Sequence, residues 1–210
     1  MTLVKICGIT NVEDAKATLH WGADQLGFNF YPGSSRYLSP STAREIIDQL
    51  PIGPKYIGVF VNEPIETILD TAGFVGLDGI QLHGDEDMAY VTEIQKSTNL
   101  FLVKAFRVTS SFKIGDALDW SLDFPLFDTH STQKYGGTGE SFDWDEFGSD
   151  IFLWFPDSAY LAGGLTAENV ADAVRAVRPY AVDVASGVES SPGKKDPKKL
   201  EAFIKNAKNA

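Results

Sequence analysis

A chain of 210 residues with a formal net charge of −11 and one cysteine excludes several functions before any motif is read. The acidity argues against nonspecific nucleic-acid binding and against a basic membrane-docking patch, so an anionic ligand needs local groups to hold it. A single thiol rules out an internal disulfide and a zinc–thiolate site; no run approaches transmembrane or signal-peptide form, which predicts a cytoplasmic protein.

The chain opens on Leu3-Val4-Lys5-Ile6-Cys7-Gly8. Its alternation predicts a strand over Leu3–Cys7 that carries Lys5 and Cys7 on one face. Gly8 frees the backbone to turn, and Asn11 caps a helix predicted over Val12–Trp21. Strands follow at Asp24–Phe30, Lys55–Val61, Gly79–His83, Leu100–Phe106, Phe124–Asp128, Ala159–Ala162 and Ala181–Ala185. Between them the apolar spacing predicts helices over Thr42–Leu50, Pro64–Phe74, Asp85–Ser97, Thr166–Val177 and Lys198–Lys208. Asn62 and Glu63 stand where caps belong, and Pro64 suits a first helical turn. Ser110–Asp119 and Trp144–Phe155 read as two weak helices, or as loops with one turn.

Most strands start about 20 to 24 residues after the one before, near the smallest crossover unit for parallel strands. This predicts an α/β fold: a single-domain (β/α)8 barrel over residues 1–210, with a doubly wound open sheet as the competing architecture. In a barrel the loops after the strands form the working face. Those loops carry Arg36, His83, Asp128 and the glycine-rich Tyr135–Gly139, and later Gly163-Gly164 and Ser186-Gly187. The last two pairs follow strands seven and eight, where barrels commonly bind phosphate on backbone amides and helix amino termini. Gly163, Gly164, Ser186 and Gly187 are therefore the candidate phosphate-binding residues, with Ser186–Glu189 opening a short extra helix. Read as bare sequence, the same glycines mark tight turns and Cys7 is a buried structural thiol.

The blocks Lys5-Ile6-Cys7-Gly8, Ser35-Arg36, Gly58-Val59-Phe60-Val61, Gln81-Leu82-His83-Gly84 and Asp128-Thr129 continue in order along the chain. Gly136-Gly137-Thr138-Gly139, Phe142-Asp143-Trp144, Gly163-Gly164-Leu165 and Val182–Glu189 complete the set. Together they resemble the phosphoribosylanthranilate isomerase family of tryptophan biosynthesis. Two departures are Ser35, where many members carry proline, and Ala185, where serine is common and supplies one more hydroxyl.

The resemblance implies an acid/base Amadori rearrangement without cofactor or metal, acting on a phosphorylated small molecule, by a monomer or homodimer. It assigns Asp128 as general acid, Cys7 as general base, and Arg36 as a partner for the substrate carboxylate. His83 is grouped with Arg36 as a substrate-binding candidate, or as a supporting histidine behind the site, rather than a metal ligand. The ordinary pKa values, about 3.9 for aspartate and about 8.5 for cysteine, place the proton on sulfur; moving it to the carboxylate costs about 6 kcal/mol. Lys5 and Asp183 are expected to pair inside the barrel. Residues 130–141 form a candidate lid, His20 and His130 are expected in solvent, and Lys194, Lys195, Lys198 and Lys199 read as the solvated edge of the last helix. The competing functions are a metal-assisted sugar-phosphate epimerase, a sister isomerase with two aspartates, and a phosphate-ligand sensor without turnover.

Overall fold

The computed structural model describes residues 1–109, 112–129 and 154–210. Eight parallel strands run β1 (Leu3–Cys7), β2 (Gln25–Asn29), β3 (Lys55–Phe60), β4 (Gly79–Leu82), β5 (Phe101–Arg107), β6 (Phe124–Asp128), β7 (Tyr160–Ala162) and β8 (Ala181–Val184). They close in sequence order, because β1 pairs with β8 as well as with β2. Closure eliminates the open doubly wound sheet. Around the strands lie α1 (Val12–His20), α2 (Pro40–Ile47), α3 (Ile65–Val75), α4 (Met88–Ser97), α5 (Gly115–Leu118), α6 (Val170–Val177) and α7 (Pro197–Lys208).

The packing follows strand parity. Val4, Ile6, Leu26 and Phe28 are buried in one cluster with Ala15, Ile68, Leu200 and Phe203 of the surrounding helices. On the alternate face, Lys5 lies in register with Gln25 on one side and Asp183 on the other, and all three are buried. The barrel thus encloses a polar layer, and Tyr160 joins it by donating its hydroxyl to Gln25 Oε1 at 3.0 Å.

At the opposite end, aspartates that precede β2, β4 and β6 accept the amide of the second residue of β1, β3 and β5. Asp24, Asp78 and Asp123 take Val4 N at 2.7 Å, Tyr56 N at 2.9 Å and Leu102 N at 3.1 Å. Strand starts are held by side chains there, which leaves the other end free to vary.

Several helix boundaries differ from the sequence expectation, each because a polar side chain is used elsewhere. Asn11 does cap α1, accepting from Asp14 N at 2.8 Å, a contact worth about 1 kcal/mol. Asn62 does not cap α3. It takes a left-handed backbone (φ 53) and accepts from Asp85 N at 2.8 Å, so Pro64 stands at the cap position instead. The α4 helix starts at Met88 on an Asp87 cap, because buried Glu86 turns back to the amides of Asn62 and Gly84 and to Lys104.

Likewise α6 begins at Val170 rather than Thr166: Asn169 accepts from Thr166 N at 2.8 Å and donates to Gly164 O at 3.0 Å. Such local side-chain bonds compete with helix propagation. α2 is capped by Ser39 and ends at Ile47, two features the predicted span Thr42–Leu50 misses. The weak helix at Ser110–Asp119 is the single turn of α5, whereas Tyr135–Gly139, His130, the lid at 130–141 and nearly all of Trp144–Phe155 lie outside the described residues.

Candidate active site

Cys7 ends β1 at the mouth of the barrel, partly exposed. Two glycines make room for what surrounds it. A Cβ on Gly27, its partner on β2, would stand 2.8 Å from the Cys7 sulfur. Gly8 turns with φ 75, and a Cβ there would meet the Arg36 side chain at 2.4 Å.

Beneath the thiol, Lys5 is fully buried and its ammonium donates to Asp183 Oδ2 at 2.9 Å and to Gln81 Oε1 at 2.7 Å. The expected Lys5–Asp183 pair is therefore present. Cys7, two residues on along the same strand face, adds to the electrostatic field at this ammonium. Burial alone would pull the Lys5 pKa down, but the charges of Asp183 and Cys7 outweigh it and the value is raised. For Cys7 burial dominates: it pushes the thiol up, against the lowering influence of Lys5, Lys195 and Arg36. Asp183 Oδ1 is buried without a hydrogen-bond partner among the described residues.

From Lys5 a line of side chains crosses the mouth to β6. Gln81, on β4 and 1% exposed, places Nε2 at 2.9 Å from His83 Nδ1. His83 Nε2 in turn lies 3.5 Å from Asp128 Oδ2, with both side chains partly open to solvent. Asp128 also accepts from Val108 N through its carbonyl at 2.8 Å, which fixes the end of β6 against the loop after β5. Sequence reasoning named Cys7, His83 and Asp128 but missed Gln81. Its signal was parity: Gln81 and His83 stand two apart on one strand and share a face.

Arg36 is held differently from a lone ligand cation. Its Nε and Nη2 donate to the two carboxylate oxygens of Glu189 at 2.8 and 2.6 Å, a bidentate pair. Lys195 donates to Glu189 Oε1 at 3.1 Å, to Cys7 O at 2.6 Å and to Ala185 O at 3.2 Å. The expectation of a solvated lysine run fails at Lys195, which is 2% exposed. The reason is a hairpin, β9 (Glu189–Ser191) against β10 (Lys194–Lys195), which turns Lys195 back under the mouth before α7 begins. The Pro192-Gly193 turn was its sequence signal. Hydrogen bonds from Arg36, with the charges of both cations, keep the Glu189 pKa below the ordinary carboxylate value although burial opposes them. Burial lowers the Lys195 pKa in spite of Glu189 and Cys7.

The loops after β7 and β8 are pressed together. Gly163 and Gly164 have φ of 90 and 64, and Thr129 donates its hydroxyl to the carbonyls of Ala162 and Gly163 at 3.0 and 3.1 Å. Ser186–Val188 forms the expected short helix, of the 3-10 type. Any Cβ on Gly187 would come within 1.9 Å of Leu165 O, so the contact between the two loops requires glycine. Gly187 thus packs on the backbone of Leu165, in the loop that also carries Gly163 and Gly164. Among the described residues, no three His, Cys, Asp or Glu side chains are grouped to hold a metal ion.

Comparison with known proteins gives a consistent result. Residues 4–206 match the family described as N-(5'phosphoribosyl)anthranilate (PRA) isomerase. The N-(5'-phosphoribosyl)anthranilate isomerase of Thermotoga maritima is 46% identical over 211 residues, covering 99% of each chain. That of Trichlorobacter lovleyi is 46% identical over 210 residues and covers all of both chains. A crystal structure of the Thermotoga maritima enzyme superposes with a TM-score of 0.90 at 45% identity, covering 100% of both chains. Another structure, an isomerase in complex with reduced 1-(o-carboxyphenylamino)-1-deoxyribulose 5-phosphate, has a TM-score of 0.86 at 43% identity with the same coverage.

Proposed function

The chain belongs to the N-(5'-phosphoribosyl)anthranilate isomerase family, and from that premise we propose that Cys7 and Asp128 are the base and acid of its reaction. It is an aldose–ketose isomerase of tryptophan biosynthesis. The rearrangement opens the furanose of an N-linked ribose phosphate and moves the carbonyl from C1 to C2. Asp128 protonates the ring oxygen as the C1–O bond breaks and the nitrogen lone pair forms a C=N bond. The Cys7 thiolate then removes the C2 proton to give an enolamine. C1 takes that proton back from the thiol while the C2 hydroxyl releases its own to the Asp128 carboxylate. This leaves the 1-amino-1-deoxyketose and restores both groups. The observation that supports this most is the line Lys5–Gln81–His83–Asp128, which runs from β1, the strand that ends in Cys7, across the mouth to β6.

The remaining roles follow the same reading. Arg36 meets the anthranilate carboxylate with the part of its guanidinium that Glu189 does not hold, and His83 lines the same side. The backbone at Gly163, Gly164, Ser186 and Gly187 grips the phosphate, local donors acting against the net charge of −11. Gly187→Ala is expected to raise KM about tenfold or more and to lower the melting temperature as well, since the two loops must part to admit the methyl group. Steady-state kinetics with the phosphorylated substrate checks this, and an unchanged KM would take Gly187 out of the phosphate site.

All 210 residues serve as one domain, in the cytoplasm, with one phosphorylated small molecule as partner and neither nucleic acid nor membrane. No helix among the described residues is long and apolar enough to cross a membrane. A dimeric form is named for the Thermotoga maritima relative, and this chain acts as a monomer or a homodimer.

Turnover of phosphoribosylanthranilate by the purified protein, followed by loss of substrate fluorescence in metal-free buffer, tests the assignment. Its pH dependence tests the protonation states. The active form carries a proton on Asp128 and none on Cys7. It exchanges with the more populated thiol–carboxylate form at constant ratio while the pair holds one proton in total. A plateau of kcat/KM through neutral pH is therefore expected. It falls on the alkaline side only when the Cys7 thiol, which desolvation at the mouth pushes up, ionises in the resting enzyme above the ordinary thiol range. An alkaline limb at or below that range would reject this pairing of acid and base.

A further inference from the structure

We infer that Gln81 fixes the tautomer of His83, so that the imidazole presents Nε2–H to the carboxylate of Asp128. This deepens the acid assignment above and rests on it. An ammonium has three donors and no acceptor, so the Gln81 amide atom 2.7 Å from Lys5 Nζ is the oxygen. The other amide atom is then the NH2 group, and it donates to His83 Nδ1 at 2.9 Å. A nitrogen that accepts carries no proton. The ring proton of neutral His83 is therefore on Nε2, the atom that stands 3.5 Å from Asp128 Oδ2.

That separation is long for a hydrogen bond, as catalytic contacts often are before substrate arrives. The chain of assignments begins at a residue that cannot choose otherwise: Lys5 is fully buried, ion-paired with Asp183 at 2.9 Å, and Gln81 is 1% exposed. Gln81 touches neither end of the reaction in this arrangement. It is a positioning residue: with its amide in place, one oxygen of Asp128 faces a fixed donor, and the proton for the ring oxygen is carried by the other.

Two measurements decide the inference. In the intact protein labelled with 15N-histidine, two-bond proton–nitrogen correlations at neutral pH should show His83 Nδ1 as an unprotonated ring nitrogen and Nε2 as N–H. A proton on Nδ1, alone or as imidazolium, overturns the inference whether or not any variant folds. In Gln81→Met, which keeps the length and removes both polar atoms, His83 should become a mixture of tautomers. There kcat should fall about tenfold or more with KM within about twofold. Unchanged kcat with an altered tautomer would remove the positioning role, and an unchanged tautomer would remove Gln81 as its cause. The nitrogen spectra stand apart from the identity of the acid: if Asp128→Asn keeps normal turnover, the acid assignment fails while the tautomer result holds.

Discussion

Asp128→Asn is expected to lower kcat by about 10²–10⁴-fold, the range for loss of a general acid, while melting temperature and circular dichroism stay near wild type. The amide keeps the size and the contact with His83 but has no acidic proton for the furanose oxygen. Asp128 is partly exposed at the end of β6, so the exchange leaves no large buried charge without its partner. Cys7→Ala should lose a comparable factor. The buried Lys5 ammonium on the same strand face keeps Asp183 and Gln81 as its acceptors, so the strand stays held. If each variant alone costs about as much as both together, the two groups act as a unit. Near-normal kcat in either variant would exclude that residue from the chemistry.

Glu189→Gln should cost about 3–5 kcal/mol of stability, because it leaves two cations facing one neutral amide below the barrel mouth. For a chain of this size that corresponds to a fall in melting temperature of about 6–20 °C. The glutamate side chain is 4% exposed and receives Arg36 at two oxygens and Lys195 at one. Its amide replacement is nearly isosteric, so the loss reports charge rather than packing. The sign of the pH dependence follows from the lowered pKa of Glu189. Its contribution is full above the unfolded carboxylate value, about 4.3, and is lost as pH falls through the lower folded value. The stability gap between wild type and Glu189→Gln should therefore be constant near neutrality and close in that acid range. Urea titrations at several pH values measure it; a gap that widens on acidification would contradict the triad. Kinetically the same variant should raise KM, since Arg36 would lose the carboxylate that holds its fork in place.

Why some of this was legible in the chain and some was not has a physical basis. Lys5 and Cys7 share a face because side chains alternate along any strand, and Asp183 meets Lys5 because strands one and eight become neighbours once a barrel closes. Cys7 and Asp128 stood out as candidates because both end strands at one mouth, which the structure shows, and the family resemblance suggested the roles proposed for them. The starts of α3, α4 and α6 were misplaced for the opposite reason. Asn62 and Glu86 look like helix residues or caps in isolation, but each bonds a loop amide that only the assembled mouth brings near. Asn169 instead closes a local turn with Thr166 and Gly164 that competes with the helix.

Strand and helix succession and the order of the eight units were determined by the sequence alone. They depend on periodicity, turns and crossover length, which act over a few residues to a few tens. The partners of the buried charges were decided by the tertiary structure. Arg36 finds Glu189 from 153 residues away, Lys5 finds Gln81 from 76, and Lys195 leaves the solvent to lie beneath Cys7. A polar group taken out of water must find a hydrogen-bonding partner, and which partner it meets is set by where closure of the barrel brings distant strands together.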